Sequence, residues 1–525
     1  MPSIRVSCSL LLLAATALAV PADRLEKRAP PTVTLDQGTF VGEADGDVNN
    51  FLGIPFGKPP TEDLRFNLPV AVDAYTGTHN VTAYGPSCPQ QAQTQQSLAE
   101  LPSDVVDYAN TTVFASIESA DEDCLSLNVI VPNGAKIGDD LPVAVWVFGG
   151  GFQVGGSSMA KGGVVVKRSI AMNEPTIFVS MNYRVSAYGF LASKEVKEAG
   201  VGNLGLQDQR LALHWVQKYI SQFGGDPSKV TIWGASAGAI SVALHMVTNG
   251  GDTEGLFRGA FMQSGSPIPV GDIEHGQSDY DAIVNQTGCQ GAPDTLQCLR
   301  NVDFDVLKKA VDASPSILSY QSLRLAWLPR VDGVFLTDAP QQLVLDGSVA
   351  DVPFVSGDCD DEGTLFSLGS RNVTTDDQFA QYVKEIYVPD ITDAELDALL
   401  SAYPSDVTQG SPFDTGDRNA ITPQFKRIAA FQGDLVFNAA RRFFIQQRAD
   451  DQPVYSFLSK RFKWVPTLGS VHGSDLVNVF GPAELTDYLI NFANNLNPNG
   501  ATITMDDFRN ESMAYAVELA LKYPL

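Results

Sequence analysis

Basic residues, histidines and cysteines are all few in this sequence of 525 residues, and each shortage excludes something. Only 35 lysines and arginines stand against 61 acidic residues, which gives a formal net charge of −26. So acidic a chain repels phosphate backbones and anionic headgroups. We therefore expect no nucleic-acid partner, and we expect any contact with a membrane to be apolar rather than electrostatic.

The N-terminal region has the pattern of a secretory signal peptide. Arg5 precedes an apolar run over residues 10–18, which is too short to span a bilayer, and small residues follow as a cleavage signal. The pattern predicts a signal peptide at residues 1–19, a secreted extracellular protein and no transmembrane anchor. The dibasic pair Lys27-Arg28 predicts a pro-segment at residues 20–28, with an ordinary pair of surface charges as the alternative.

Glycosylation sequons and the few cysteines fit a secretory route. Five asparagines are followed two residues later by threonine or serine and are candidate glycan sites: Asn80, Asn110, Asn285, Asn372 and Asn510. Of six cysteines, Cys8 leaves with the signal peptide. The other five suit an oxidising compartment in which two bridges form and one thiol remains, and spacing alone does not fix the pairing.

Residues 29–525, which follow the predicted pro-segment, contain no repeat and no break in composition. This predicts one catalytic domain of the α/β class. Apolar, β-rich runs at residues 141–148, 176–182 and 230–233 predict buried strands that are neighbours at the centre of a sheet. Residues 206–223 have apolar positions at helical spacing and predict a crossover helix. This alternation predicts a mostly parallel β-sheet flanked by helices.

A serine stands where the third of these strands turns into a helix. The strand at residues 230–233 runs into Gly-Ala-Ser-Ala-Gly at residues 234–238, and an apolar, helix-forming stretch follows. A serine on so tight a turn needs neighbours without bulk, and the N-terminus of the helix stabilises negative charge that develops beside it. This strand–turn–helix context predicts Ser236 as a catalytic nucleophile.

A second glycine cluster, at residues 149–151, follows the strand at residues 141–148. Successive glycines let backbone N–H groups approach a substrate oxygen, so the cluster and the N–H of Ala237 predict an oxyanion hole. A glycine-rich turn selected for close packing is the alternative.

A nucleophilic serine needs a base, and the chain has only five histidines. His214 and His245 lie in predicted helices, where a packed core histidine is the more common role. His79 lies in a polar turn and His275 in an acidic loop. His472 lies in a loop of small residues far downstream, which matches the Ser, acid, His order of α/β-hydrolases, so it is the predicted base.

The acid of the triad must lie between the serine and the histidine. Residues 351–357 predict a strand that leads into a loop with four carboxylates. They are Asp358, Asp360, Asp361 and Glu362. Any of the four can orient an imidazole and stabilise its charged form, so composition does not choose among them.

Together these residues resemble the type B carboxylesterase and lipase family of cholinesterase-like α/β-hydrolases, and most closely its large secreted fungal lipases and sterol esterases. Motifs along the whole chain carry the resemblance: residues 51–56 (FLGIPF), 64–66 (LRF), 122–125 (EDCL), 182–184 (NYR), 224–227 (GGDP), 361–364 (DEGT) and 472–475 (HGSD). The resemblance implies that Glu362 is the triad acid. It also implies that Gly150, Gly151 and Ala237 supply the oxyanion N–H groups.

The same resemblance implies several structural pairs. It implies disulfide bridges from Cys88 to Cys124 and from Cys289 to Cys298. It implies a buried ion pair between Arg65 and Glu122. Cys359 is then left unpaired beside the catalytic acid, where a small buried residue without a chemical role is the simpler interpretation.

In the fungal lipases that this chain resembles, the first bridge closes a lid. The corresponding stretch, residues 89–123, holds apolar residues among polar ones: Leu98, Leu101, Val105, Val106, Tyr108, Val113, Phe114 and Ile117. A lid whose apolar face contacts lipid transiently suits water-insoluble esters, and a static covering helix is the alternative. The stretch has no tryptophan, so it lacks the cation–π partner that a choline ester needs.

Leu435 and Phe437 resemble residues that line the acyl tunnel of fungal lipases and are predicted to bind substrate. Gln432 departs from the apolar residue type of that tunnel. Phe148 stands where many relatives have histidine, and the backbone N–H donors survive that change.

The sequence therefore predicts a secreted serine ester hydrolase. We expect a lipase or carboxylesterase that cleaves a small-molecule or lipid ester through an acyl-enzyme, with sterol esters as a candidate class. No metal cluster or nucleotide-binding loop occurs in the sequence, so no cofactor and no metal is expected. The alternatives are a short-chain or aromatic carboxylesterase, and a non-catalytic binding protein on the same fold.

Overall fold

The computed structural model describes residues 29–92 and 119–500. The predicted signal peptide (residues 1–19), the pro-segment (residues 20–28), two of the sequons (Asn110 and Asn510) and the apolar positions of the predicted lid all lie outside the described residues, and they stay predictions. The three other sequon asparagines, Asn80, Asn285 and Asn372, are exposed, as glycan attachment requires.

A nine-stranded sheet forms the centre of the molecule, and its strand order is β12-β11-β10-β9-β7-β8-β6-β4-β3. A second, three-stranded sheet has the order β1-β2-β5. The strands are β1 (Thr32–Leu35), β2 (Gln37–Val41), β3 (Glu43–Asp45), β4 (Val48–Pro55), β5 (Thr76–Asn80), β6 (Ser126–Pro132), β7 (Leu141–Val147), β8 (Ile177–Met181), β9 (Gly225–Ala235), β10 (Gly259–Gln263), β11 (Phe354–Cys359) and β12 (Val454–Ser459).

The three predicted central strands are confirmed as the neighbours β8, β7 and β9. Val145 of β7 pairs with Val179 on one side and with Ile232 on the other, both in parallel register. Five parallel pairings join β8, β7, β9, β10, β11 and β12, whereas β6, β4 and β3 pair antiparallel. Central strands that are covered on both faces must be apolar on both faces, which explains their continuous apolar runs.

Helices connect these strands and cover the sheet. They are α1 (Gly163–Ala171), α2 (Ser186–Phe190), α3 (Lys194–Ala199), α4 (Leu204–Tyr219), α5 (Ala237–Val247), α6 (Gln277–Gln286), α7 (Thr295–Arg300), α8 (Phe304–Asp312), α9 (Pro340–Leu345), α10 (Asp376–Tyr382), α11 (Asp393–Ala402), α12 (Phe425–Gly433), α13 (Ala439–Arg448), α14 (Ser474–Phe480) and α15 (Glu484–Asn495).

The predicted crossover helix is α4, which connects β8 to β9. It continues as a 3₁₀ turn (Ile220–Phe223) and stops at Gly224, whose φ of +89° is a left-handed conformation that favours glycine. Within the described ranges, no helix has the length and apolar character that crossing a membrane requires. The carboxyl ends of β7, β9, β10, β11 and β12 meet at one edge of the sheet, and open α/β sheets bind ligands at such an edge.

Two disulfide bridges and one ion pair cross-link segments that lie outside the strands. Cys88 is bonded to Cys124 and Cys289 to Cys298, while Cys359 is a free, buried cysteine. The guanidinium of Arg65 donates to both carboxylate oxygens of Glu122, at 2.6 and 2.7 Å, and both side chains are largely buried. The ion pair that the family resemblance implies is therefore confirmed.

Candidate active site

Ser236 lies on a sharp turn between β9, which ends at Ala235, and α5, which begins at Ala237. Its backbone has φ +56° and ψ −128°, a conformation that is unfavourable for a residue with a side chain. Two hydrogen bonds hold it. The Ser236 N–H donates to the carbonyl of Gln263 at 2.8 Å, and the Ser236 carbonyl accepts from Ile240 N–H at 2.9 Å. The nucleophile predicted from the sequence therefore lies on a strained turn.

The glycines on either side of Ser236 are required by close backbone contacts. A Cβ on Gly234 would collide with the backbone of Gly238, and a Cβ on Gly238 would collide with the carbonyl oxygen of Val147. Strand β9, the turn and helix α5 therefore fit together only when both positions lack side chains. This is the physical reason for the Gly-Ala-Ser-Ala-Gly pattern.

His472 lies in the loop before α14 and contacts both predicted partners. Its Nε2 is 2.8 Å from Ser236 Oγ, and its Nδ1 is 2.5 Å from Glu362 Oε2. The rings of Phe366 and Phe437 pack on the imidazole with centroid distances of 5.1 and 4.7 Å. Two hydrogen bonds and two ring contacts hold the imidazole in place between the serine and the carboxylate.

Among the four carboxylates at the end of β11 and in the loop after it, Glu362 is the one that contacts His472. Its second oxygen, Oε1, accepts from the N–H of Cys359 at 2.6 Å, and the side chain is 1% exposed. Asp358 pairs instead with Arg441 at 2.5 Å. Asp360 and Asp361 both pair with Lys463, at 2.5 and 2.8 Å. Glu362 is therefore the carboxylate that contacts the imidazole, whereas the other three carboxylates form ion pairs with Arg441 or Lys463.

The other four histidines lie away from the serine. His245 is buried in α5, where its Nε2 is 3.0 Å from Gln209 Oε1, and burial lowers its pKa to about 3. The prediction of a core position is wrong for His214, which lies on the outer face of α4 with 53% of its side chain exposed. The prediction of a turn is wrong for His79, which lies in β5 and stacks on Phe40.

The glycine cluster at residues 149–151 lies beside the nucleophile. A Cβ on Gly149 would be 2.8 Å from the Cβ of Ser236. Gly150 and Gly151 have φ values of +122° and +61°. Ala237 begins α5, and amides in the first turn of a helix have no partner within the helix. Close packing explains why residue 150 is glycine, because a Cβ there would collide with Val154. The close contact at Gly149 shows that the same loop also lies against the serine.

A cavity of about 300 Å³ opens over Ser236 and His472. Its polar side chains come from Ser236, Ser264 and His472, and every other lining residue is glycine or apolar. No charged side chain lines this cavity among the residues that the structure places. A site with this lining accepts an uncharged, apolar substrate.

Neither predicted acyl-tunnel residue lines the cavity. Leu435 is buried, and Phe437 lies behind the cavity wall, where it packs on His472 and stacks with Phe366. Gln432 is fully buried and donates to the phenol oxygens of Tyr382 and Tyr387, at 3.0 and 2.9 Å. A polar cluster therefore lies where the resemblance suggested an apolar tunnel.

Two residues near the triad were not singled out by the sequence. Gln263 donates from Nε2 to Asp475 Oδ2 at 2.8 Å, and Asp475 is fully buried in the first turn of α14. Burial raises the pKa of Asp475 to about 6, although the hydrogen bond from Gln263 favours the carboxylate. The signal that could have found Asp475 is its position at the end of the HGSD motif, three residues after His472.

Chemically, the arrangement supports nucleophilic catalysis by the serine. A carboxylate orients an imidazole, the imidazole can accept the serine proton, and the glycine loop at residues 149–151 lies next to the serine. Within the described part of the chain, no group of three or more histidine, cysteine, aspartate or glutamate side chains is placed to hold a metal ion.

The chain is similar in sequence to a family model and to fungal lipases, and similar in structure to a fungal protein of known structure. A model of the carboxylesterase family matches residues 29–517. Lipase 4 of Diutina rugosa is 46% identical over 491 residues, which cover 91% of this chain and 89% of that protein. The secreted triacylglycerol lipase LIP1 of Gibberella zeae is 42% identical over 491 residues, covering 90% and 83%. The crystal structure of Aspergillus niger EstA superposes with a TM-score of 0.78 at 28% identity, covering 94% and 97%.

Proposed function

Because this chain belongs to the carboxylesterase family, it is a carboxylic ester hydrolase, and we propose that it is a secreted lipase that cleaves apolar esters through an acyl-enzyme on Ser236. The observation that carries this proposal is the continuous Glu362–His472–Ser236 hydrogen-bond relay beneath an apolar cavity. A relay of this kind activates a hydroxyl that is otherwise a weak nucleophile.

The proposed reaction has two halves. His472 takes the proton from Ser236 Oγ as that oxygen attacks the ester carbonyl carbon, and Glu362 stabilises the imidazolium that forms. The N–H groups of Gly150, Gly151 and Ala237 stabilise the oxyanion. His472 then gives its proton to the departing alcohol, which leaves an acyl group on Ser236. Water, deprotonated by the same imidazole, attacks the acyl-enzyme and releases the carboxylic acid.

Lipase activity is supported by the relatives and by the cavity. Relatives at 42–46% identity carry the name lipase, and the cavity is lined almost entirely by apolar groups. Secretion is supported by two relatives with secreted in their names, by the predicted signal peptide and by the exposed sequon asparagines.

A second candidate, a short-chain carboxylesterase, is favoured by one observation. The cavity does not reach Leu435, and Gln432 is tied to Tyr382 and Tyr387 beyond the cavity wall. Breaking those buried hydrogen bonds to admit a long acyl chain would leave polar groups unpaired. Acyl chain length therefore separates the two candidates.

The test is hydrolysis of p-nitrophenyl esters from acetate to palmitate, in solution and in emulsion, by the mature protein and its Ser236→Ala variant. Ser278→Ala, an exposed serine in α6, is the matched control. The proposal expects a preference for long chains in emulsion that Ser236→Ala abolishes and Ser278→Ala keeps. A preference for acetate and butyrate favours the carboxylesterase. Absence of Ser236-dependent turnover on every ester would contradict both and favour a binding protein.

A further inference from the structure

Tyr183 is a fully buried tyrosine to which the proposed reaction gives no role. It lies two residues after the end of β8, and its hydroxyl donates to the carbonyl oxygen of Phe148 at 2.7 Å. Its ring also stacks on the ring of Phe148, with centroids 4.1 Å apart and planes 16° from parallel. Two contacts of different kinds therefore join Tyr183 to the residue that directly precedes the glycine loop at residues 149–151.

The backbone on both sides of Tyr183 is held by polar contacts. The Asn182 N–H donates to the carbonyl of Ser126 at 2.9 Å. The N–H and the Nε of Arg184 donate to Asp208 Oδ2 at 3.0 and 2.8 Å, and its Nη2 donates to Oδ1 at 2.7 Å. Tyr183 is therefore fixed on its own side of the contact, and it provides a rigid support for Phe148.

The Phe148 carbonyl lies between the two halves of the proposed oxyanion hole. One half is the glycine loop, and the Phe148 carbonyl shares a peptide plane with the N–H of Gly149, the first residue of that loop. The other half is the first turn of α5, where a Cβ on Gly238 would be 2.8 Å from the Phe148 carbonyl oxygen. A change in the direction of this carbonyl therefore moves the glycine loop relative to the Ala237 amide.

The stretch that follows the glycine loop has supports of its own. Gln153 is fully buried, and its Oε1 accepts from the Ile317 N–H at 2.8 Å. The Gly155 N–H donates to the side-chain Oε1 of Gln90 at 2.5 Å. Removal of the Tyr183 hydroxyl leaves both hydrogen bonds in place. We therefore expect it to displace the start of the loop without unfolding the rest.

We propose that Tyr183 is a positioning residue for the oxyanion hole: through the Phe148 carbonyl it holds the glycine-loop amides at the distance from the Ala237 amide that the oxyanion requires. This inference rests on the proposed function, because it takes the N–H groups of Gly150, Gly151 and Ala237 as the oxyanion donors. It extends that function by naming the side chain on which the geometry of those donors depends.

Tyr183→Phe removes the hydroxyl and keeps the ring. Phe148 follows the last residue of β7, so strand pairing does not hold its carbonyl. A buried carbonyl that loses its donor is costly, and we expect the peptide to rotate toward another donor. Burial raises the pKa of the Tyr183 phenol, so its hydroxyl remains a donor throughout the pH range of ester assays. The effect of the substitution should therefore not depend on pH.

The first measurement compares Tyr183→Phe with Tyr280→Phe. Tyr280 is 1% exposed in α6, its hydroxyl is 2.6 Å from Thr295 Oγ1, and it does not line the cavity, so this control also loses a buried phenol hydrogen bond. With p-nitrophenyl butyrate, kcat of Tyr183→Phe should fall at least about tenfold and KM should change less than about threefold, because misplaced donors weaken transition-state binding specifically. Tyr280→Phe should keep both values.

The second measurement separates positioning from a general loss of structure. When a trifluoromethyl ketone binds, Ser236 Oγ adds to the ketone carbon, the serine proton passes to His472, and the former carbonyl oxygen becomes an oxyanion that mimics the transition state. A ¹³C label at that carbon reports the pKa of the hemiketal hydroxyl. This pKa should be at least about one pH unit higher in Tyr183→Phe than in the unmodified enzyme, because a tenfold weaker oxyanion hole corresponds to one unit. It should be unchanged in Tyr280→Phe.

An unchanged hemiketal pKa in Tyr183→Phe, or an equal loss of kcat in Tyr280→Phe, would overturn the proposal. If Tyr183→Phe does not fold, Phe148→Leu takes its place, because it removes the stacked ring and keeps the backbone carbonyl. Its hemiketal pKa should also rise, and an unchanged value would overturn the proposal. Absence of a hemiketal on Ser236 in the unmodified enzyme would instead contradict the proposed function.

Discussion

Gln263 donates a hydrogen bond from its side-chain Nε2 to Oδ2 of Asp475 at 2.8 Å, and this bond connects the nucleophile to the helix that follows the base. The backbone carbonyl of Gln263 accepts from Ser236 N–H, also at 2.8 Å. Its Oε1 accepts from Trp233 Nε1 at 2.6 Å, which fixes the orientation of the amide. One buried glutamine therefore connects the turn that carries Ser236 to α14, the helix that follows His472.

The first prediction concerns Gln263→Glu. The substitution keeps the shape of the side chain, removes the amide donor and places a second carboxyl group against Asp475. We expect kcat to fall on the order of 10²-fold, because a displacement of about 1 Å between base and nucleophile has this effect. KM should change much less. Steady-state kinetics on one soluble ester gives both values.

Asp475→Asn is the matched control for this prediction, because an asparagine carbonyl still accepts from Gln263. Its kcat should stay within about tenfold of the unmodified enzyme. Equal losses in the two variants would show that the hydrogen bond does not position the base.

The second prediction concerns the pH dependence of stability at Asp475. Burial raises the pKa of this carboxyl from 3.8 to about 6, so the folded state holds its proton more tightly than the unfolded state does. The stability this gives is complete below pH 3.8 and is lost as the pH rises to about 6. Asp475→Asn carries no such dependence.

The measurement is urea unfolding of both proteins at pH 4 and pH 8. The free energy of unfolding of Asp475→Asn, relative to the unmodified protein, should be higher at pH 8 by roughly 2 kcal/mol. If the difference in free energy of unfolding between the two proteins is the same at pH 4 and pH 8, or is smaller at pH 8, Asp475 is not a buried carboxyl with a raised pKa.

The third prediction is that the adjacent carboxylates Glu362 and Asp361 have different roles, one in catalysis and one in stability. Glu362→Gln removes the charge that orients and stabilises His472, so kcat should fall by about 10³- to 10⁴-fold with little change in stability. Asp361 instead accepts from Lys463 Nζ and from the N–H groups of Phe413 and Ser470 at 2.7–2.8 Å. Asp361→Asn should lower the free energy of unfolding by about 2–3 kcal/mol and leave kcat within tenfold. Ester kinetics and thermal unfolding on the same preparations give both quantities.

This pair of carboxylates shows where sequence reasoning ends. The order of serine, acid and histidine, the small-residue loop and the scarcity of histidine were enough to select Ser236 and His472. The acid was not selected by composition, because four carboxylates occur within five positions. Their roles depend on partners such as Arg441 and Lys463, which lie about 80 to 100 residues downstream. Only the family resemblance pointed to Glu362.

In the fold, too, elements with a clear local sequence pattern were predicted, and features that depend on contacts with distant residues were not. The central strands were predicted because strands buried on both faces are continuously apolar, and the crossover helix because its apolar positions have helical spacing. The antiparallel strands β3 and β4 were missed because β3 is exposed throughout and β4 is only partly buried, so neither has a continuous apolar run. His214 was placed in the core because a helical pattern alone did not show that its position faces solvent.

The fourth prediction concerns the oxyanion loop. Gly150 has φ +122°, and an added Cβ would collide with the carbonyl of Val154. Gly150→Ala must therefore displace the loop and its N–H groups, with an expected loss of about 10²-fold or more in kcat. Gly163→Ala is the control, because α1 begins there and a Cβ meets nothing within 4 Å. If Gly150→Ala kept full activity, the loop could not hold the oxyanion.

Covalent labelling shows directly whether Ser236 is the residue that forms the acyl-enzyme. The purified protein is incubated with a p-nitrophenyl alkylphosphonate, and the modified residue is identified by peptide mass spectrometry. We expect one adduct per chain, on Ser236, with ester hydrolysis lost in proportion to labelling, and no adduct on the Ser236→Ala variant. An adduct at another residue that abolishes hydrolysis, or full hydrolysis by Ser236→Ala, would contradict it.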